Sequence, residues 1–307
     1  MTLLRRASQG DCRSQESPIL GGVQHPRAVN FRRQTEPVQD PSWKLGSSPI
    51  SFGPMRVMTW NVLTDSVSAA APWTGRCLQV AQRLATLKPI VLGTQEASAG
   101  MLDALVSELP HAYRWVGEGR RGRLTDETCG VVYDSTALTV LDVRHRWLSA
   151  TPEVPGSTAD DAHLPRMLTA VRFHEAASDT TFTVVNTHLD HAGGQARLLG
   201  AGLVAQHAQD GPTVVVGDFN DAAQGSPAYD TLVRAGLRDA LAPRDQPRQR
   251  LRTFVGLEHD LDGEGEQIDW MFVTPDIQVR DSWVDHASPG SPVASDHRPI
   301  VAEVRLP

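Results

Sequence analysis

Apolar and polar positions change their period several times along this chain, and the changes predict its elements. The run Met55-Arg56-Val57-Met58-Thr59-Trp60-Asn61 predicts a first strand. A helix is expected from Arg76 to Leu87, ended by Pro89, and a strand over Ile90–Gln95 stopping at Glu96. Ala99 to Glu108 reads as a second helix. Strands are expected at Tyr113–Val116, Cys129–Tyr133, Leu138–Val143, Met167–Phe173 and Phe182–Asn186. Gln195 to Gln209 has good helix formers and few breakers. Strands at Val214–Val216, Ile268–Val273, Ile277–Trp283 and Pro299–Val304 complete the set. About ten strands with a few interspersed helices predict an α/β fold of two packed sheets flanked by helices.

Residues 1–54 break this pattern. They are rich in Pro, Ser, Gln, Arg and Gly and show no sustained apolar period, so a disordered extension is expected there, with the folded domain over 55–307. The extension carries a net charge of +3 and the remainder −10. An acidic domain of this kind does not exclude a nuclease, but it argues against tight, nonspecific DNA binding, which needs a basic face. Arg5-Arg6 is followed by polar residues where an export signal needs an apolar stretch. No run approaches the roughly 20 apolar residues of a membrane helix. The three cysteines, Cys12, Cys77 and Cys129, are scattered, which predicts neither a disulfide framework nor a zinc cluster and points to a reducing, cytoplasmic location.

The chemistry concentrates where apolar runs stop. Thr213-Val214-Val215-Val216 leads into Gly217-Asp218-Phe219-Asn220, and Ser295-Asp296-His297-Arg298-Pro299 precedes an apolar run. Asp218 and Asn220, two apart at a strand end, are expected to point to the same side. Thr59-Trp60-Asn61, Thr94-Gln95-Glu96, Asn186-Thr187-His188-Leu189-Asp190-His191, Gln267-Ile268-Asp269 and Leu164-Pro165-Arg166 repeat the arrangement. Glu96 and Asp296 suit a hard cation such as Mg²⁺, which takes one or two carboxylates together with water and substrate phosphate. This is a kit for metal-assisted hydrolysis of a phosphate ester.

The ordered series Trp60-Asn61, Gln95-Glu96, Asn186 to His191, Gly217 to Asn220, Ile268-Asp269-Trp270 and Ser295 to Pro299 resembles the endonuclease/exonuclease/phosphatase superfamily. Asn186 to His191 followed by Gly193-Gly194-Gln195-Ala196-Arg197 is similar to its small bacterial metal-dependent hydrolases. The resemblance covers Met55 to Pro307. It implies a four-layer α-β-β-α sandwich with mostly antiparallel sheets, Mg²⁺ or Mn²⁺ as cofactor, and a phosphate ester, nucleic acid included, as substrate. It implies that Glu96 holds the metal with Asn61 and Asp296 beside it, and that Asp218 activates water that Asn220 positions. Asp269 would orient His297, and His188 would contact the phosphate or assist the leaving group. Arg166, Asp190 and His191 are further candidates for substrate contact. In the abasic-endonuclease branch an acidic residue lies two positions after the first-strand Asn; here Leu63 stands there, with Asp65 two further on.

Each segment taken alone has a plainer reading. Asn61 and Asp218 would be turn residues, Glu96 the cap of the next helix, and Asp190 and His191 loop holders. Arg166 would pair with a surface carboxylate. His188 and His191 would suit a transition metal but lack a third ligand. Arg120-Arg121-Gly122-Arg123 is either a polyanion grip or a solvated loop, and Asp260 to Glu266 reads as a hairpin tip rather than a calcium loop. The rival to an enzyme is a catalytically silent binding module of the same fold.

Overall fold

The computed structural model describes residues 55–65, 72–124, 126–241, 251–257, 266–287 and 294–307. The extension expected over 1–54 and most of the acidic hairpin tip lie outside them. In chain order the elements are β1 (Met55–Asn61), α1 (Trp73–Leu87), β2 (Val91–Ser98), α2 (Ala99–Ser107), β3 (Tyr113–Val116), β4 (Glu127–Asp134), β5 (Leu138–Trp147) and β6 (Met167–Glu175). They continue with β7 (Thr180–His188), α3 (Gly194–His207), β8 (Thr213–Asp218), α4 (Pro227–Arg234), β9 (Arg238–Asp239), β10 (Asp269–Val273), β11 (Gln278–Val284) and β12 (Ile300–Arg305).

Two six-stranded sheets form, ordered β11-β12-β1-β2-β4-β3 and β5-β6-β7-β8-β10-β9. Within the sheets β1–β2 and β7–β8 pair in parallel, and the other neighbours pair antiparallel. Alternation along each strand builds three apolar layers. Val57, Val91, Val131, Val184, Val214 and Val216 face the space between the sheets. Met58, Leu92 and Val132 point outward against Val80, Leu84 and Leu102 of α1 and α2. Val185, Val215 and Phe272 point the other way, against Val204 and Leu232 of α3 and α4. The four-layer sandwich is the one expected, and β8 reads as an unbroken valine run because both its faces are covered.

Two elements escape the apolar pattern. Helix α4 announces itself only by Ser226, whose hydroxyl accepts from the Tyr229 N–H, and by Pro227 at its start. Strand β9 has two residues, too few for a period. Strand β5 runs past Val143 to Trp147 because an edge strand carries exposed polar residues that an apolar-run criterion drops.

A polar staple crosses the inter-sheet core. The Asn186 amide donates to the carbonyls of Thr94 (2.9 Å) and Gly130 (2.8 Å), and Gln95 Nε2 donates to Asn186 Oδ1 at 2.6 Å. Gly93 leaves room for it, since a Cβ there would lie 2.5 Å from a Val216 methyl and 3.0 Å from the Asn186 amide carbon. The staple fixes the two central parallel pairs relative to each other, just below the edge where their carboxyl ends emerge.

Candidate active site

Four carboxyl ends meet at that edge: Asn61 of β1, Glu96 of β2, His188 of β7 and Asp218 of β8. Strand β10 runs antiparallel to β8 with Asp269 opposite Asp218, and β12 runs antiparallel to β1, so the segment before β12 delivers Asp296 and His297 to the same edge.

Glu96 gets there by a bulge. Strand β2 does not stop at Glu96 but continues to Ser98, and its register against β4 shifts between Thr94 and Ala97. Glu96 takes φ 64°, a left-handed conformation that costs a residue other than glycine on the order of 1 kcal/mol and that clusters at functional positions. Its oxygens accept from Asn61 Nδ2 (2.9 Å) and the Thr64 N–H (2.9 Å). The helix cap is Ser98, which accepts from the Met101 N–H, so Glu96 is not spent on capping α2.

Asn61 Nδ2 also reaches Asp218 Oδ2 at 3.0 Å. His188 Nε2 lies 3.5 Å and His297 Nε2 3.8 Å from that same oxygen. On the far side of its ring, His297 Nδ1 meets Asp269 Oδ2 at 2.8 Å. Thr253 Oγ1 accepts from the Ile268 and Asp269 N–H groups, Ser295 Oγ bridges the Asn61 carbonyl and the His297 N–H, and the Trp60 indole donates to the His297 carbonyl. Gly217 permits the close approach of β7, for a Cβ there would fall 2.2 Å from the Thr187 carbonyl oxygen.

Burial and charge divide the two histidines. Burial lowers His188 well below its ordinary value, and the charges of Arg166 and His297 lower it further, so it is neutral. Burial also opposes charge on His297, but Asp269, Asp218 and Asp296 outweigh it and push it up to about 10, so it is an imidazolium at neutral pH. Burial, then the Asp269 carboxylate, raises Asp218 to about 7 against the pull of His297 and of the hydrogen bonds from Asn61 and Asn220. Asp296 is raised by burial, lowered by His297 and raised again by Glu96.

Not every candidate stands where the spacing placed it. Asn220 lies beyond β8 at φ 49°; its N–H donates to Asp218 Oδ1 and its amide to the Leu189 carbonyl, so it closes a turn rather than sharing a strand face with Asp218. Asp190 is turned into the protein, its carboxylate accepting from the N–H groups of His163, Leu164, Ala192 and Gly193. Arg166 is buried, with Nη2 3.0 Å from His191 Nδ1. Asp65 accepts from the Trp73 N–H at the start of α1, and Leu63 is buried. The arginine cluster is partly neutralised, Arg120 by Glu127 and Arg121 by Asp126.

Arg76 belongs to the site's framework, and spacing alone did not mark it. It is fully buried on the apolar face of α1, and its guanidinium donates to the carbonyls of Val62, Leu63 and Ala294, joining the loop after β1 to the loop before β12. An arginine in line with Val80, Leu84 and Leu87 was the available signal. Phe254 was missed as well: it is 42% exposed, with its ring edge-to-face on His297 at 5.1 Å.

Among the described residues, two groups offer metal-ligand atoms within 4.8 Å of one another: Glu96 with His188 and Asp218, and Asp218 with Asp269 and His297. The first, two carboxylates and a neutral imidazole, could hold a divalent metal ion. A cation there would also offset the repulsion between Glu96 and Asp296. Asp296 falls in neither group.

The chain is similar to solved structures of this architecture. It is 29% identical to the endonuclease/exonuclease/phosphatase from Bacteroides vulgatus, over 82% of this chain and 99% of that one, with a TM-score of 0.76. It is 27% identical to the mannosyl-6-phosphatase of Bacteroides thetaiotaomicron, over 82% and 100%, with a TM-score of 0.73. D. rerio TDP2 complexed with a single-strand DNA product shares the fold at 14% identity, over 82% and 99%, with a TM-score of 0.63. No curated protein matches the chain. A model described as the Endonuclease/Exonuclease/phosphatase family matches residues 58–297, and the chain belongs to that family.

Proposed function

We propose that the protein is a divalent-metal-dependent phosphoesterase that hydrolyses its substrate by in-line attack of water, without a covalent intermediate. One observation carries the reading: a neutral histidine, a raised carboxyl group and a carboxylate-backed imidazolium converge on one oxygen, Asp218 Oδ2. Asp218, with its proton affinity near neutrality, takes the proton of the attacking water. Asn61 holds Asp218 and Glu96 in place. His297, charged and fixed by Asp269, donates from Nε2 to the phosphoryl oxygens as charge grows on them. Neutral His188 contacts the phosphate or the leaving group. Asn220 shapes the turn that aims Asp218. Glu96 would hold the cation, with Asn61 and Asp296 beside it, and when bound it supplies Lewis-acid stabilisation of the phosphoryl group. Arg166 and His191 face the substrate side, and Asp190 holds their loop.

The acidic surface and the likeness to a mannosyl-6-phosphatase favour a small phosphate ester over long DNA. The test is a panel of sugar phosphates, bis-(p-nitrophenyl) phosphate, plasmid and oligonucleotides with Mg²⁺, Mn²⁺ or EDTA. Metal-dependent turnover of a phosphate ester is expected. Inactivity on every ester would leave the silent binding module as the better reading.

A further inference from the structure

Phe254 takes no part in the hydrolysis as proposed, yet its ring stands against His297. Among the described residues, the other large apolar side chains left exposed, such as Leu78 and Leu141, are aliphatic; Phe254, 42% exposed, is the aromatic one. Scattered exposed aliphatic groups are ordinary on a protein surface. Phe254 differs in where it stands and in how it is held. The Thr253 and Phe254 N–H groups donate to the Glu266 carbonyl (3.1 and 3.2 Å), the Val255 N–H donates to the Asp296 carbonyl (2.9 Å), and the Arg298 N–H donates to the Thr253 carbonyl (2.7 Å). The segment is thus tied on one side to the run leading into β10 and on the other to the run leading into β12, which carry Asp269 and His297. Phe254 is opposed to His297 in an antiparallel bridge, so both side chains leave on the same face, and the two rings meet at 5.1 Å with their planes 64° apart. His297 is itself buried, so Phe254 supplies the accessible apolar surface at that point. An aromatic ring already fixed by its backbone has little freedom left to lose when a second ring packs on it, which favours binding.

We propose that Phe254 is a substrate-binding residue, whose exposed ring surface receives a planar aromatic ring of the group esterified to the phosphate at His297. The inference rests on the phosphoesterase reading and adds a substrate class: phosphate esters whose alcohol carries an aryl ring or a nucleobase. The shared chemistry is an aromatic face. A phenyl side chain has no hydrogen-bonding atom, so it selects for that face without reading the polar edge of the ring.

The test measures phosphate release from two pairs of esters, benzyl phosphate against cyclohexylmethyl phosphate and adenosine 5′-monophosphate against ribose 5-phosphate. Within each pair the charge is the same and one member lacks the aromatic ring. The wild-type protein is expected to favour the aromatic member of at least one pair by about tenfold in kcat/KM, the weight of one stacked ring. Phe254→Tyr should keep that ratio. Phe254→Ala should bring it close to unity, and so should Phe254→Leu, which keeps apolar bulk but has no aromatic face. A ratio lost in the first pair alone assigns the contact to a ring next to the ester bond, and one lost in the second alone assigns it to a base one sugar away. No preference in either pair, or a preference that survives Phe254→Ala, overturns the proposal. So does an equal loss on all four esters with the ratios kept, which would mean that Phe254 serves only to hold His297. If none of the four is cleaved, calorimetry on the Mn²⁺-loaded protein with the uncleavable benzylphosphonate and methylphosphonate decides the contact apart from the phosphoesterase reading. Tighter binding of benzylphosphonate that is lost in Phe254→Ala supports it, and equal or absent binding overturns it.

Discussion

Asp269 and His297, 28 residues apart in the chain, share a 2.8 Å contact between Oδ2 and Nδ1 while both are almost fully buried. The bond fixes the imidazole so that Nε2 faces Asp218, and it makes the charged ring the stable form despite burial. Asp269→Asn keeps the shape and removes the charge. It should lower kcat by about two orders of magnitude or more, the usual weight of a positioned acid or base, with an unchanged circular dichroism spectrum.

The same pair sets a pH signature in metal-free protein. The folded pKa of His297, about 10, lies above its ordinary 6.5, so the pair's contribution to stability is complete below pH 6.5 and is lost as pH rises toward 10. Urea unfolding with EDTA, from pH 6 to 10, should show a decline in the wild type that is much smaller in Asp269→Asn. Parallel declines would refute this assignment of charge.

Asp190 carries the opposite sign. Burial raises its pKa, but the N–H groups of Gly193, His163, Ala192 and Leu164 more than reverse that and hold it at about 2, below the ordinary 3.8. Its stabilisation is therefore complete above 3.8 and lost as pH falls toward 2. Asp190→Asn should cost on the order of 2 kcal/mol at pH 7, and the gap from wild type should shrink below pH 3 in denaturant titrations. A gap independent of pH would mean that the charge is not what holds the two loops.

The inter-sheet staple predicts a third stability effect. Asn186→Leu removes the amide donors to the Thr94 and Gly130 carbonyls and one Gln95 bond inside the core, with only the Thr94 hydroxyl left on the Gly130 carbonyl. Stranded buried polar groups cost about 1–3 kcal/mol each, so a loss of about 3 kcal/mol is expected in urea unfolding. A loss below 1 kcal/mol would show that water or repacking replaces the staple.

The fold was legible wherever burial on one or both faces left a run or a period, as in β1, β8 and α1. It was not legible where local geometry decided. The two-residue β9 has no period, and the polar outer face of β5 hid its length. The site was legible as residue types at strand ends, because carboxylates, amides and histidines next to apolar runs are visible in one dimension. How each is aimed was not. Asn220 looked like a partner of Asp218 on one strand face, but a left-handed turn sends its amide to Leu189. Asp190 was a candidate substrate contact with a plainer reading as a loop holder, and its four backbone donors give it the second role. Arg76, a cation on an apolar stripe, needed the third dimension to show the two loops it joins.

Glu96 tests the reading of the site most directly. The β2 bulge spends backbone strain to turn this carboxylate toward His188 and Asp218, whereas Asp296, its charged neighbour, belongs to neither close group of ligand atoms. Glu96→Gln preserves size and one acceptor for Asn61 or Thr64 but removes the charge. It should weaken Mn²⁺ binding by about tenfold or more, measured by calorimetry or water-proton relaxation on the protein without substrate, since even outer-shell partners of a metal carry that weight. Asp296→Asn should weaken it less. If the order is reversed, the cation sits on the β12 side of the edge and Glu96 serves only to hold Asn61 and Thr64. If neither variant changes binding, the strained bulge is aimed at substrate rather than at metal.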